Sequence, residues 1–286
     1  MQANSTEQDF TPDDPRVFDQ YLQDGVICLR NVLNESWLTR LKEGTRDAIE
    51  QGGPHHFRFG TPNAPGFFFG DVMLWQRWPS FCEFAFDGPL ASLAGHLMNS
   101  QSVTFYHDFL LVKDAGSSKP TPWHQDQSYW CVGGDQALTI WAPLDAVSSA
   151  NTLEFVRGSH RWNTLYAAVP FADESSFDGS RDGRPEVPDI ALCCSDEDIV
   201  SWSLQPGDCL AFHARTLHRA PGNPLPHPRR VLSTCWAGDD AHYIEIASDL
   251  APPIKGDGLI PGAPLACSTL SLGSRKRSPL YSGTRH

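Results

Sequence analysis

From Ser102 onward the apolar positions of this chain fall into short runs: Val103 to Val112, Ala137 to Pro143, Thr152 to Val156, Ile199 to Leu204, Cys209 to Phe212 and Val231 to Trp236. Turn sequences such as Val132-Gly133-Gly134-Asp135 and Gln205-Pro206-Gly207-Asp208 separate them. Short strands joined by Gly/Pro turns predict a sandwich or barrel. The first hundred residues read differently. Thr11-Pro12-Asp13-Asp14 supplies an N-cap, a proline at the first helical position and acids in the first turn, which predicts a helix through Tyr21 and Leu22 that stops before Gly25. Val26 to Leu29 reads as a short strand. Asn34 caps a second predicted helix, in which Leu38, Leu41, Thr45, Ala48 and Ile49 recur at helical spacing until Gly52-Gly53, and Pro89 to Met98 makes a third. The fold class is therefore mainly β with peripheral helices (α+β).

Composition narrows the class. The 286 residues, 40% hydrophobic and 20% charged, are enough for a core that needs no staples, in one large domain or two small ones. No stretch approaches the roughly 18 uninterrupted apolar residues of a membrane helix, and MQANSTEQDFTPDDP lacks the basic and apolar regions of a signal peptide. The expected setting is cytoplasmic, without a membrane partner. Eight scattered cysteines with no C-x-x-C pair signal neither a zinc ribbon nor a disulfide framework, so reduced thiols are expected. The formal charge of −12 is uneven: Arg275, Lys276, Arg277 and Arg285 all follow the last acid, Asp257, so residues 1–257 carry −16. A body that acidic repels nucleic acid. Between Phe171 and Asp198 lies a polar stretch with nine acids, read as a solvated surface loop or as a lid over a site in the barrel.

The sharpest chemical feature is Trp123-His124-Gln125-Asp126-Gln127. Alternate residues of a strand share a face, so His124 and Asp126 can offer an imidazole nitrogen and a carboxylate oxygen to one ion. A third ligand from a distant strand would complete a 2-His-1-carboxylate triad, whose open positions suit non-haem Fe(II), O2 and a chelating co-substrate. Alone, a His-x-Asp is weak, since roughly one is expected by chance in a chain like this. A second pattern strengthens it: Phe212-His213 and His218 precede Pro228-Arg229-Arg230, so a histidine near the end of one strand and an arginine at the start of the next would face each other across a hairpin. Arginine binds a carboxylate through two parallel charged hydrogen bonds, and only one of Arg229 and Arg230 should point inward. The residues alone do not separate His213 from His218.

The chain resembles the phytanoyl-CoA dioxygenase family of Fe(II)- and 2-oxoglutarate-dependent oxygenases. The resemblance runs from Phe18 to Arg30, through Lys113-Asp114-Ala115-Gly116, His124-Gln125-Asp126, Trp141 and Glu154-Phe155-Val156-Arg157-Gly158-Ser159-His160, then Phe212-His213, His218, Asn223 and Arg229 to His242-Tyr243-Ile244. In such enzymes the second metal histidine stands eleven residues before the arginine, which selects His218 and Arg229. The resemblance implies a double-stranded β-helix (jelly roll, cupin-like) with the helices outside. It also implies His124, Asp126 and His218 as metal ligands, Arg229 on the far carboxylate of 2-oxoglutarate, Trp141 and Gln125 at co-substrate pocket positions, and Phe109 at a pocket position that is apolar in relatives. Ala220, two residues after His218, departs from relatives that often carry there a hydroxyl holding the same carboxylate, a loss of about 1 kcal/mol.

The implied activity is hydroxylation of an unactivated C–H bond with release of succinate and CO2. Halogenating relatives lack the carboxylate that Asp126 supplies, so its presence argues against halogenation. Desaturation or cyclisation would use the same core, and a silent binding protein would keep the fold without turnover. The acidic body opposes a CoA thioester, which predicts a small, largely apolar substrate that is not polyanionic, bound by a monomer or homodimer. Gly66-Phe67-Phe68-Phe69, Trp75, Trp78, Tyr129 and Trp130 are its candidate walls. With ligands more than ninety positions apart, one domain over 8–267 must bring them together; residues 268–286 read as a basic, flexible tail.

Overall fold

The computed structural model describes residues 9–60, 66–117, 120–169, 183–246, 259–265 and 274–276. In chain order the elements are α1 (Val17–Asp24), β1 (Val26–Leu29), α2 (Glu35–Gln51), β2 (Phe57–Phe59), β3 (Phe68–Val72), α3 (Pro79–Asp87), α4 (Leu90–Leu97), β4 (Ser102–Lys113) and β5 (Thr121–His124). They continue with β6 (Val132–Gly133), β7 (Ala137–Pro143), β8 (Glu154–Val156), α5 (Ile190–Cys193), β9 (Ile199–Val200), β10 (Cys209–His213), β11 (His218–Ala220), β12 (Arg229–Ala237), β13 (His242–Tyr243) and β14 (Ser274–Lys276).

Local signals set most of these boundaries. The Asn34 side chain accepts the Trp37 amide at 3.0 Å and opens α2. Helix α1 ends where Gly25 takes φ +74°, and a Cβ there would lie 2.1 Å from the His160 ring, so both backbone and space demand glycine. The start of α1 departs from expectation. Asp14 accepts the Arg16 amide at 2.9 Å and its Nε at 3.0 Å, so Thr11–Asp14 closes a turn and the helix begins only at Val17. Helix α3 and the β2–β3 hairpin were not anticipated, because their aromatic residues read as pocket wall rather than as elements.

An antiparallel sheet runs in the order β1-β10-β7-β12-β4-β3-β2, with β14 paired to β4 at Ser102–Thr104. A second sheet runs β5-β11-β8-β9. Together they form a double-stranded β-helix, with helices on the outer face of the larger sheet. Alternation along β7 shows why: Leu138, Ile140 and Ala142 pack into the core shared with Leu38, Leu41, Phe81, Phe84, Leu93 and Leu97, while Thr139 and Trp141 face the other sheet. Trp141 joins Phe155, Val200, Leu204, Phe212 and Val231 in the inter-sheet core. A register shift between Cys235 and Trp236 leaves Tyr106 unpaired in the β12–β4 ladder, a bulge that puts Phe105 on the helical side and His107 inward.

Residues 170–182 of the acidic stretch and all of the 268–286 tail except Ser274–Lys276 lie outside the described residues. The rest of the acidic stretch folds back on the smaller sheet: Ile190, 5% exposed, packs with Val156, Tyr166 and Leu217, and Arg184 donates to the Ser128 carbonyl at 3.0 Å. No helix among the described residues is long and apolar enough to cross a membrane. None of the seven described cysteines is in a disulfide.

Candidate metal centre

Strands β5 and β11 are antiparallel neighbours, and their register sets His124 directly opposite His218 with ring centroids 4.1 Å apart. Asp126 follows the end of β5 as the first residue of a 3-10 turn; Gln125 is still extended, so alternation carries the carboxylate to the side of His124. Asp126 Oδ1 lies 3.5 Å from His124 Nε2 and 3.4 Å from His218 Nε2. Two ligand atoms each about 2.1 Å from one ion stand about 3.0–3.4 Å apart, so the spacing fits a single metal. One ligand atom from each residue falls within 4.8 Å of the others.

The ring orientations are set from behind. His124 Nδ1 lies 2.8 Å from the Pro122 carbonyl and His218 Nδ1 lies 2.9 Å from the Thr216 carbonyl. A carbonyl only accepts, so each Nδ1 holds the proton and each Nε2 presents its lone pair to the centre. Burial, then the neighbouring His218, lowers the pKa of His124 and keeps it a neutral ligand. Burial alone would raise the Asp126 pKa, but the two imidazoles beside it outweigh that and hold the carboxyl well below the usual range. Its other oxygen, Oδ2, accepts from Thr139 Oγ1 at 2.6 Å, so β7 of the larger sheet aims a ligand carried by the smaller one. Nothing in the sequence marked Thr139, because its role exists only once the sheets face each other.

Arg229 opens β12 and is 5% exposed. Its Nη1 donates to the Asn151 carbonyl, and among the described residues it makes no ion pair. Burial lowers its pKa to about 10. Arg230 points outward to Asp145, donating from Nε at 2.9 Å and Nη2 at 2.5 Å, so the alternation argument holds. Histidine and arginine do not, however, face each other across a hairpin. His218 pairs within the smaller sheet and Arg229 within the larger, because the chain crosses between sheets after Ala220. Trp141 and Phe109 share one row across three strands, each in register with Ser233 between them.

Other expected residues are placed elsewhere. Gln125 does not offer its amide to a pocket: Nε2 donates to the Thr164 and Arg215 carbonyls at 3.0 and 2.8 Å, and Oε1 accepts from the Tyr166 amide at 2.8 Å. It faces away from His124 and Asp126 and ties the Thr164–Tyr166 segment to the one at Arg215. His213 is separated from His218 as well. Its Nδ1 accepts the Arg215 amide at 3.0 Å, its ring lies 5.3 Å from that of His160, and burial pushes its pKa down to about 3. Of the aromatic candidates, Phe67 and Phe69 belong to the helical-side core, whereas Phe68 forms a ring cluster with Phe57 and Phe59 that reaches Phe109 through Phe57. Asn223, quoted in the family resemblance, is fully buried and binds the Lys113 and His227 carbonyls at 2.9 and 2.7 Å, while its Oδ1 accepts from Asn151 at 3.2 Å.

The profile of the phytanoyl-CoA dioxygenase family matches residues 21–231, which span every one of these positions. The chain belongs to the phytanoyl-CoA dioxygenase family. This family member is, by class, a 2-oxoglutarate-dependent non-haem iron oxygenase. Among curated proteins none matches its sequence significantly. Solved structures share its fold at low identity. The non-haem α-ketoglutarate-dependent epimerase SnoN from nogalamycin biosynthesis is 22% identical with a TM-score of 0.69, over 90% of this chain and 97% of that one. The carbocyclase SnoK from nogalamycin biosynthesis is 22% identical with a TM-score of 0.67, over 93% and 99%. EctD from S. alaskensis, solved with 2-oxoglutarate and 5-hydroxyectoine, is 20% identical with a TM-score of 0.66, over 92% and 89%.

Thr139 in this dioxygenase-family chain gives a first test. Thr139→Val keeps the volume of a 2%-exposed residue but removes the donor to Asp126 Oδ2. Fe(II) affinity, measured by anaerobic titration, is expected to fall about 10-fold.

Proposed function

We propose that this chain is an Fe(II)- and 2-oxoglutarate-dependent dioxygenase that hydroxylates an unactivated C–H bond of a largely apolar small molecule, with release of succinate and CO2. The observation that carries this reading is the pairing of a three-residue His-Asp-His cluster with a buried arginine that has no carboxylate partner among the described residues. A structural metal site has no need of such an arginine. When bound, the iron and its co-substrate supply the oxidising power drawn from O2.

The protein's own residues do the positioning. His124, Asp126 and His218 would hold the iron, with Thr139 and the two backbone carbonyls locking their orientations. Arg229 would take the far carboxylate of 2-oxoglutarate in a two-pronged charged contact, and Trp141 and Phe109 would line the pocket between. The Phe57, Phe59, Phe68 and Phe109 rings offer an apolar wall, and the net charge of −12 disfavours a polyanionic substrate. The epimerase and carbocyclase among structures of this fold favour a second reading, in which the same core closes a ring or inverts a centre instead of adding a hydroxyl.

Anaerobic addition of Fe(II) and 2-oxoglutarate is expected to give the weak visible charge-transfer band of the chelate. A folded, iron-loaded protein without that band would remove the proposal. Succinate formation in air then serves as the signal for a substrate screen, and micromolar affinity for an acyl-CoA would overturn the expectation of a non-polyanionic substrate.

A further inference from the structure

The inner face of the larger sheet carries a second row beside the one formed by Phe109, Ser233 and Trp141. Two residues further along each strand, His107 on β4 is in register with Cys235 on β12, and Cys235 with Thr139 on β7. Opposite residues of an antiparallel pair project from the same face, so all three point into the gap between the sheets. Thr139 fixes the level of this row, because its hydroxyl donates to Asp126. Arg229 lies on β12 at a distance of roughly 20 Å from Cys235 along the strand, with the Phe109 and Trp141 row between them. A co-substrate running from Arg229 to the metal ligands thus leaves the His107 end of the gap to the substrate.

That end is apolar. Met73, Tyr129, Trp130, Ala137 and Cys235 pack there in one cluster, and the Trp130 ring meets the His107 ring edge-on with centroids 5.8 Å apart. His107 is 4% exposed; its Nδ1 is sealed without a partner, and no hydrogen bond among the described residues reaches either ring nitrogen. The phenols beside it are engaged: Tyr106 accepts the Cys131 amide at 2.9 Å, and Tyr129 donates to the Val169 carbonyl at 2.6 Å. A buried polar group without a partner costs stability, so an imidazole kept in an apolar cluster calls for a ligand that satisfies it. Burial lowers its pKa to about 4, which leaves the ring neutral, with one nitrogen to donate and one to accept. A hydroxyl can meet either nitrogen, whereas a carboxylate brings a charge that a neutral ring does not balance.

We propose that His107 holds a hydroxyl group of the substrate, which makes the substrate a neutral alcohol with an otherwise apolar body. This rests on the oxygenase reading above and sets the specificity of the same site. Fixing one oxygen of the substrate at a set distance from the metal ligands selects which C–H bond is presented to them.

The test uses cyclohexanol and chlorocyclohexane, a pair of one ring size in which a chlorine replaces the hydroxyl. Each is titrated calorimetrically, without air, into protein loaded with Fe(II) and 2-oxoglutarate. The wild type should prefer cyclohexanol by about 10-fold, although water solvates the alcohol better. His107→Phe keeps a planar ring and removes both nitrogens; it should weaken cyclohexanol about 10-fold and leave chlorocyclohexane within twofold. His107→Gln, which restores a donor and an acceptor, should recover most of the loss. A wild type that binds neither probe or does not prefer the alcohol overturns the assignment whether or not the variants fold. Unchanged cyclohexanol affinity in His107→Phe, or equal weakening of both probes, overturns it as well. The chelate band is recorded on the same samples. Its absence from the wild type strikes the oxygenase reading itself, whereas a normal band without selection for the alcohol strikes the His107 proposal alone.

Discussion

His124→Ala lowers Fe(II) affinity by about 100-fold or more and abolishes the 2-oxoglutarate chelate band. The size follows from what the ring does. Its Nδ1 is spent on the Pro122 carbonyl, so Nε2 is committed to the centre, and its loss leaves two of three ligands. Losing a residue that merely orients a ligand already costs about 10–100-fold, so losing the ligand costs at least that. His218→Gln, which keeps most of the ring's volume against Phe155 and Phe212, should show the same defect. His213→Gln should bind iron within twofold of wild type, since His213 lies outside the cluster. Anaerobic iron titration, with thermal melting of the metal-free proteins as a check on folding, separates these outcomes.

Arg229→Met weakens 2-oxoglutarate by about 100-fold and leaves Fe(II) affinity within a few-fold. Removing one partner of a buried, hydrogen-bonded charge pair costs roughly 2–5 kcal/mol, and each 1.4 kcal/mol is about tenfold in affinity. Methionine keeps the aliphatic packing of a residue that is 5% exposed, so the fold survives while the charge is lost. The chelate band titrated against 2-oxoglutarate reports the shift directly. Equal affinity in wild type and variant would mean that Arg229 does not hold the co-substrate.

Much of the fold was legible locally. Strands β1 and β7 have the bounds expected from their apolar runs, and Asn34 caps the helix it was expected to cap. These features depend on neighbours within a few residues, which is why a linear reading reaches them. The helix start at Val17 was misread because Asp14 has two competing uses, cap or turn, and its pairing with Arg16 selects the turn. The expected strand Ile199 to Leu204 stops at Val200, since Leu204 leaves to bridge with Val147. Gln125 has the composition of a pocket residue, and only the arrangement of the loops at Thr164, Tyr166 and Arg215 spends its amide elsewhere.

By itself the sequence determined the candidate ligand types, their order and the family: His-x-Asp, a later histidine and an arginine eleven residues beyond it are properties of the string. The net charge of −12 is also a property of the string, and it is the basis for expecting no nucleic-acid partner. What only the tertiary structure decided is which groups act on those ligands from another strand. Thr139 reaches Asp126 across the gap between sheets, Asn151 holds Arg229 from a loop 78 residues away, and Lys113 leaves its own sheet to meet Thr121. The contacts of Thr139 and Lys113 are set by register and by the facing of two sheets, and a one-residue slip of β7 or β4 would turn the one or the other to the opposite face.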